Sequence, residues 1–281
     1  MQELAKDFKI YLEQLGYRKS SVQMLPACVN DFLKYHHIIN PKKITGEQIE
    51  SFYRHLLIRP HKRKEGGLSE RYINHHIYAL KLFFNWLENI NRIILNPMSA
   101  MQFKKPVSKP REPLSSEEMT KLFRHCASAK ETAILHLFYS CGLRKSEGEA
   151  LNISDIHFKT NLLYIREGKN NKRRAIPITE KVSKDLESYL VHETNISGTK
   201  AFLLNKTGTR MKGESYNKIL KEILKRSGIE KEISLHYLRH SIATHLLENG
   251  LPIERIRDFL GHKHLESTQV YAKVNLKRHG L

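Results

Sequence analysis

Residues His236–Gly250 read HYLRHSIATHLLENG. The stretch falls in a helix predicted over Leu235–Glu248. On that helix His236 and His240, four residues apart, face the same way. The spacing invites a zinc reading, but the helical zinc motif needs Glu directly after the first histidine, and Tyr237 stands there. A third ligand would have to come from elsewhere in the chain. The other feature of the stretch is Arg239, one turn beyond His236. Its meaning depends on what the rest of the chain brings to it.

The chain has 281 residues, enough for one large or two ordinary domains, and 40% are hydrophobic, ample for a packed core. The charge balance is unusual: 48 Lys and Arg against 29 Asp and Glu, a formal net charge of +19. Such self-repulsion is best tolerated when a polyanion neutralises it. Nucleic acid is the first candidate and an anionic membrane surface the second. No apolar run approaches the roughly 20 residues that cross a bilayer. The opening MQELAKDFKIYLEQLG is amphipathic and mixed in charge, unlike a signal peptide. Cys28, Cys126 and Cys141 lack metal-type spacing and any catalytic-cysteine signature, and fit the reduced thiols of a cytoplasmic protein.

Helical periodicity dominates residues 1–98. Leu4, Phe8, Tyr11, Leu12 and Leu15 share one face, and Val22, Cys28, Val29, Phe32 and Leu33 share another, with Pro26 expected to kink that second helix or mark its start. TGEQIESFYRHLL predicts a third helix capped by Thr45, and a long fourth begins near Ser69. Between them lies RPHKRKEGG, a basic loop bounded by breakers. Residues 99–113 carry Pro106, Pro110 and Pro113 among Lys104, Lys105, Lys109 and Arg111, which predicts a stiff basic linker. Ser115 and Glu118 then form a capping-box pattern that opens residues 114–281. That part mixes types: short strands within DIHFKTNLLYIREGKNNKRRAIPIT, with turns at Lys159–Asn161 and Gly168–Lys172, and then helices over Glu180–Val191, Tyr216–Ser227, Leu235–Glu248 and Ile253–Phe259. The expected fold is mainly α with a small β-hairpin sheet, in two domains.

Four stretches of the second part concentrate chemistry: GLRKSE (Gly142–Glu147), GKNNKRR (Gly168–Arg174), HYLRHS (His236–Ser241) and GHKHLESTQVY (Gly261–Tyr271). No P-loop or Gly-rich dinucleotide turn asks for ATP or NAD. Carboxylates are too scarce here to ligate the ions of a two-metal nuclease. Arginine, lysine, histidine and tyrosine together can open a phosphodiester without metal. Arginines grip the non-bridging oxygens, lysine protonates the leaving oxygen, histidine shuttles a proton, and tyrosine attacks and keeps the bond as a phosphotyrosine.

In the same chain order, these four stretches resemble the active-site boxes of the tyrosine recombinases, the phage integrase family. The resemblance implies Arg144 as the first catalytic arginine, with Glu147 supporting it. It places the hairpin lysine at Lys169, although Lys172 lies in the same turn. It gives His236 and Arg239 as the H-x-x-R pair, His262 as a further phosphate-facing histidine and Tyr271 as the nucleophile. His240 and His264 sit inside the boxes without matching a catalytic position. The helical first part and basic linker are similar to the family's DNA-clamping core-binding domain. The pattern departs from the family at Gly148 and Glu149, where aliphatic residues are usual. A mid-helix glycine costs about 1 kcal/mol against alanine, and Glu149 is expected to face solvent.

The resemblance implies site-specific recombination of double-stranded DNA through a 3′-phosphotyrosyl link. It implies no cofactor, metal or ATP, and a homotetramer, or a heterotetramer with a related recombinase, on the DNA. Arg18, Lys19, Lys62, Arg63, Lys64, Arg71, Lys104 and Lys105 are candidate phosphate contacts. A topoisomerase of the same chemistry, a DNA-binding protein with an idle site and a metal-dependent nuclease are the alternatives. In the family a helix beyond the tyrosine commonly docks on a neighbouring protomer; the tail here after Tyr271, AKVNLKRHGL, is short and can form at most about two or three helical turns, so it leaves open how protomers connect.

Overall fold

A computed structural model describes residues 2–38, 40–61, 65–104, 112–166, 173–193 and 198–261. The chain forms two compact units, Met1–Lys109 and Pro110–Leu281. The division falls within the stretch read as a linker.

The first unit is helical: α1 (Gln2–Gln14), α2 (Lys19–Tyr35), α3 (Gly46–Ile58) and α4 (Glu70–Asn89). Thr45 caps α3 as expected. Its hydroxyl accepts from the Gln48 N–H while the Gln48 side chain accepts from the Thr45 N–H, so two orphan donors are satisfied reciprocally. Ser69 accepts from the Tyr72 N–H at the start of α4. The apolar faces read from the sequence meet in one core that includes Phe8, Leu12, Val29, Phe32, Phe52, Phe83 and Phe84. Two details differ from expectation. Leu15 is 55% exposed, because α1 ends at Gln14 and the chain turns away through Gly16 at φ +71°. Pro26 neither starts nor ends α2; it lies buried well inside it. An interior proline costs a helix about 3 kcal/mol, and here burial of Val22, Leu25, Cys28, Val29, Phe32 and Leu33 on the same helix offsets that cost.

The second unit opens with α5 (Ser116–Arg124), where Ser115 and Glu118 form the expected capping box. Next come α6 (Ala129–Leu135), which continues as a π-helical turn over His136–Ser140, and α7 (Lys145–Ala150). Strands β1 (Ile156–His157), β2 (Leu162–Ile165) and β3 (Arg174–Pro177) form an antiparallel sheet in that order, with Leu163 opposite Ile176 and Ile165 opposite Arg174. Leu163, Ile165 and Ile176 point inward while Tyr164 and Ala175 point out, the alternation a half-buried sheet requires. Among the described residues, helices α8 (Glu180–Glu193), α9 (Gly213–Ser227), α10 (Leu235–Glu248) and α11 (Ile253–Leu260) follow. Helix α6 packs against α8 and α9, and the π-helical turn packs against α10. The architecture is therefore mainly helical with one small sheet, as the sequence predicts.

The entry to this unit is fastened to α10. The Leu114 N–H donates to Ser241 Oγ at 2.9 Å, and the Leu114 carbonyl accepts from His245 Nε2 at 2.8 Å. A carbonyl only accepts, so Nε2 carries a proton, and His245 Nδ1 is hydrogen-bonded with the Tyr139 hydroxyl, 2.8 Å away.

Candidate active site

The site is built around the short connection from the π-helical turn into α7. After Ser140 the chain closes with long-range turns, Cys141 N–H to the His136 carbonyl at 2.8 Å and Leu143 N–H to the Leu137 carbonyl at 3.0 Å. π-type widening of this kind is frequent beside functional sites. It delivers Arg144 in extended backbone as the N-cap of α7. Glu147, one turn on, reaches back: Oε2 accepts from the Arg144 N–H at 2.9 Å and Oε1 from Arg144 Nη1 at 2.6 Å.

Glu147 is only 3% exposed, and a second arginine shares it. Arg174, the first residue of β3, presents a fork in which Nη1 donates to Oε1 at 2.9 Å and Nη2 to Oε2 at 2.8 Å. Burial pushes the Glu147 carboxyl upward. The hydrogen bonds and charge of Arg174, then those of Arg144, outweigh it and hold the pKa down to about 2. Glu147 is thus a fixed anion between two guanidinium groups.

Arg239 lies on α10, 1% exposed, and donates to the carbonyls of Gly142 and Leu260. Arg144 Nη2 donates to the Gly261 carbonyl at 2.8 Å, and Arg174 Nε to the Phe259 carbonyl at 3.0 Å. Three successive carbonyls at the end of α11, those of residues 259, 260 and 261, therefore each receive one arginine. These are the orphan acceptors at the negative end of a helix, where cations are favoured by roughly 0.3–1 kcal/mol each. Arg144 and Arg239, 95 residues apart in sequence, are brought together here, on the carbonyls of Gly261 and Leu260 just before His262. His236 is exposed on the first turn of α10, its ring edge-on to that of His240 with centroids 5.0 Å apart. Lys169, His262 and Tyr271 lie outside the described residues, as do Lys172 and His264.

Arg174 belongs to the GKNNKRR stretch, but its spacing assigns it no role. The only signal was an arginine at the point where the hairpin text becomes a strand. Arg210 was also missed. Its guanidinium donates to the carbonyls of Glu149 and Leu151, each at 2.9 Å, and bonds the Asn152 side chain, so it fastens the end of α7.

The two departures at Gly148 and Glu149 have structural reasons, and both expectations for them are corrected. Gly148 is buried against Phe138; a β-carbon there would meet the ring Cζ at 2.6 Å. Glycine is the residue that lets the helix approach, so the propensity cost is offset by packing. Glu149 does not merely face solvent. Its Oε1 accepts from the Gly213 N–H at 2.6 Å, at the positive first turn of α9.

Among the described residues, no group of three or more His, Cys, Asp or Glu is placed to hold a metal ion. A cleft of about 880 Å³ borders the site, lined in part by Glu147, Arg166, Arg173 and Arg174. In the first unit Arg18 stands at the N-cap of α2, Lys19 begins that helix and Arg71 sits in the first turn of α4. All three are exposed, as is Lys104, and helix N-termini favour phosphate. Lys62, Arg63, Lys64 and Lys105 lie outside the described residues.

Residues 112–278, more than half of the chain, match the family model described as the phage integrase family. The chain belongs to the phage integrase family. Within it the chain is Xer-like. It is 32% identical to the tyrosine recombinase XerA of Pyrococcus furiosus over 98% of this chain and 91% of that protein. It is 35% identical to the tyrosine recombinase XerC of Chlamydia caviae over 74% of this chain and 69% of that protein. A solved lambda integrase dimer bound to a COC′ core site shares the fold, with a TM-score of 0.77 over 96% of this chain and 94% of that one, at 16% identity. This integrase-family chain is a tyrosine-type site-specific recombinase. No helix among its described residues is long and apolar enough to cross a membrane.

Proposed function

We infer that the chain recombines double-stranded DNA with Tyr271 as nucleophile and Arg144, Lys169, His236, Arg239 and His262 as its catalytic set, supported by Glu147. The Tyr271 oxygen bonds to the scissile phosphorus and the bond from phosphorus to the 5′ oxygen breaks, leaving a 3′-phosphotyrosyl link. Lys169 gives its proton to the departing 5′ oxygen, and His236 takes the tyrosine proton. An unperturbed tyrosine has a pKa of about 10, so the cations around the phosphate help its hydroxyl ionise. Arg144 and Arg239 neutralise charge on the non-bridging oxygens, and His262 hydrogen-bonds one of them. The 5′ hydroxyl of a partner strand reverses the step. The bond energy is conserved, and neither ATP nor metal enters the balance.

The observation that carries this reading is the convergence of Arg144 and Arg239 on the end of α11, immediately before His262 and ten residues before Tyr271. The rest of the assignment follows. Residues 1–98 form the core-binding domain, 99–113 the basic linker and 114–281 the catalytic domain. The exposed basic residues of the first domain contact phosphates, and four protomers assemble on a cytoplasmic DNA site. Incubation in EDTA with a nicked suicide substrate tests it. The expected result is a covalent protein–DNA adduct that vanishes in Tyr271→Phe. Cleavage that requires Mg²⁺, or an adduct that survives the substitution, overturns it.

A further inference from the structure

Arg174 ties the site together from the sheet, although it is not one of the arginines assigned to the phosphate. Its side chain is 9% exposed. Both Nη atoms grip Glu147, and Nε holds the Phe259 carbonyl. Glu147 Oε1 is shared with Arg144 Nη1, so the position of one guanidinium constrains the other through a single carboxylate oxygen. Arg174 also touches the turn that follows α11. Gly261 sits at φ +63°, and a β-carbon there would lie 3.0 Å from Arg174 Nη1 and 3.1 Å from its Cδ. Only a residue without a side chain lets this left-handed turn lie so close to the guanidinium. Strand β3 pairs with β2 through Ile165 and Arg174, so this side chain springs from a residue held in the sheet.

The geometry points to Arg174 as a positioning residue for strand cleavage, one that aims Arg144 through Glu147 and fixes the end of α11 from which His262 and Tyr271 follow. This rests on the recombinase reading above and extends it. Nε and both Nη atoms of Arg174 are committed to Glu147 and the Phe259 carbonyl. Its influence falls on where Arg144 stands. Lysine in its place keeps the charge but not the planar fork that engages both carboxylate oxygens and a carbonyl at once. The consequence belongs to the chemical step and not to DNA affinity, which is spread over many phosphate contacts.

The test is single-turnover cleavage of a nicked suicide substrate by Arg174→Lys, with DNA affinity and melting temperature measured in parallel. The expected result is cleavage slower by about 100-fold, on the scale of losing one preorganised donor, with affinity within about twofold of the unsubstituted chain. A second substrate carries a methylphosphonate at the scissile position, which removes the charge Arg144 neutralises. On it the gap between Arg174→Lys and the unsubstituted chain narrows at least tenfold. A merely structural defect slows both substrates alike. Cleavage at the unsubstituted rate, or an equal loss on both substrates, overturns the proposal. If Arg174→Lys melts too low to assay, Glu147→Asp replaces it, drawing the shared carboxylate back by one methylene, and the same two substrates decide. Failure of the unsubstituted chain to form any adduct instead sinks the recombinase reading, so the two failures are distinct.

Discussion

The Phe138 ring lies so close to Gly148 that a β-carbon at 148 would stand 2.6 Å from its Cζ and 3.0 Å from its Cε1. Phe138 itself is fully buried and also packs on Tyr216, ring centroids 5.2 Å apart, so it has no free direction in which to yield. Helix propensity alone predicts that Gly148→Ala stabilises α7 by about 1 kcal/mol. Overpacking predicts the opposite sign, a loss of about 1–3 kcal/mol. The expected outcome is a lower urea midpoint for Gly148→Ala with an unchanged denaturant slope. A midpoint at or above that of the unsubstituted chain refutes the packing account.

Glu147 offers a test of the buried anion. Glu147→Gln keeps the shape but leaves Arg144 and Arg174 facing a neutral amide. Removing one partner of a buried pair costs about 3–5 kcal/mol, and cleavage should slow by about 100-fold as Arg144 loses its orientation. The pH dependence has a definite sign. A carboxylate held at about 2 contributes stability that is present above its ordinary pKa near 4.5 and is lost as pH falls through about 2. The cleavage rate profile should therefore show no limb between pH 4 and 6 that disappears in Glu147→Gln. A limb in that range, lost on substitution, means that Glu147 titrates and is not clamped.

Much of this architecture was legible because the signals were local. Thr45 with Gln48, and Ser115 with Glu118, satisfy backbone donors three residues away, and both boxes form as read. The α10 boundaries, Leu235 and Glu248, also match their expectation. Pro26 does not mark the start of α2, because tertiary burial outweighs an interior proline, and Leu15 leaves the apolar face because the helix ends at Gln14. Arg144, Glu147 and Arg239 could be named from their motifs, but not their partners. The Phe259, Leu260 and Gly261 carbonyls carry no side-chain signature, and they lie more than 80 residues from Arg144 and Arg174. Gly148 was misread for the same reason: the atom that makes glycine necessary belongs to Phe138, ten residues upstream on another element.

The two hairpin lysines give a discriminating pair. Both Lys169 and Lys172 precede β3, and only one can deliver a proton to the leaving oxygen. With Lys169 as the acid, Lys169→Ala should lose about 100- to 10,000-fold in cleavage rate with DNA affinity retained, whereas Lys172→Ala should cleave within a few-fold of the unsubstituted chain. A 5′-bridging phosphorothiolate supplies a leaving group that needs no proton, and should restore Lys169→Ala selectively. If Lys172→Ala is the variant that fails and is restored, the assignment is reversed.

The first unit carries its own charge cluster. Asp31 Oδ2 accepts from Arg59 Nη1 at 2.6 Å and from His76 Nε2 at 3.2 Å, while His76 Nδ1 lies 3.0 Å from the Tyr72 carbonyl. Both ring nitrogens thus face acceptors, which favours the doubly protonated ring. Burial alone would push the His76 pKa down. The hydrogen bonds to Asp31, Cys28 and the Tyr72 carbonyl outweigh it and bring it up to about 9. A raised histidine contributes stability that is fully present below its ordinary 6.5 and is lost as pH climbs through about 9. Asp31 acts at the other end: its pKa, held at about 2 chiefly by His76, means loss only as pH falls through about 2. The Asp31 side chain is 40% exposed, so solvent screening trims the alkaline loss to about 1–2 kcal/mol. Trp86, the chain's single tryptophan, is buried in α4 of this unit and reports its unfolding. Urea midpoints followed by its fluorescence should fall between pH 6.5 and 9.5, and Asp31→Asn should flatten that fall while lowering the midpoint at pH 6.5. A midpoint that stays level to pH 9.5 in the unsubstituted chain would mean that His76 is neutral throughout, and that Asp31 answers to Arg59 alone.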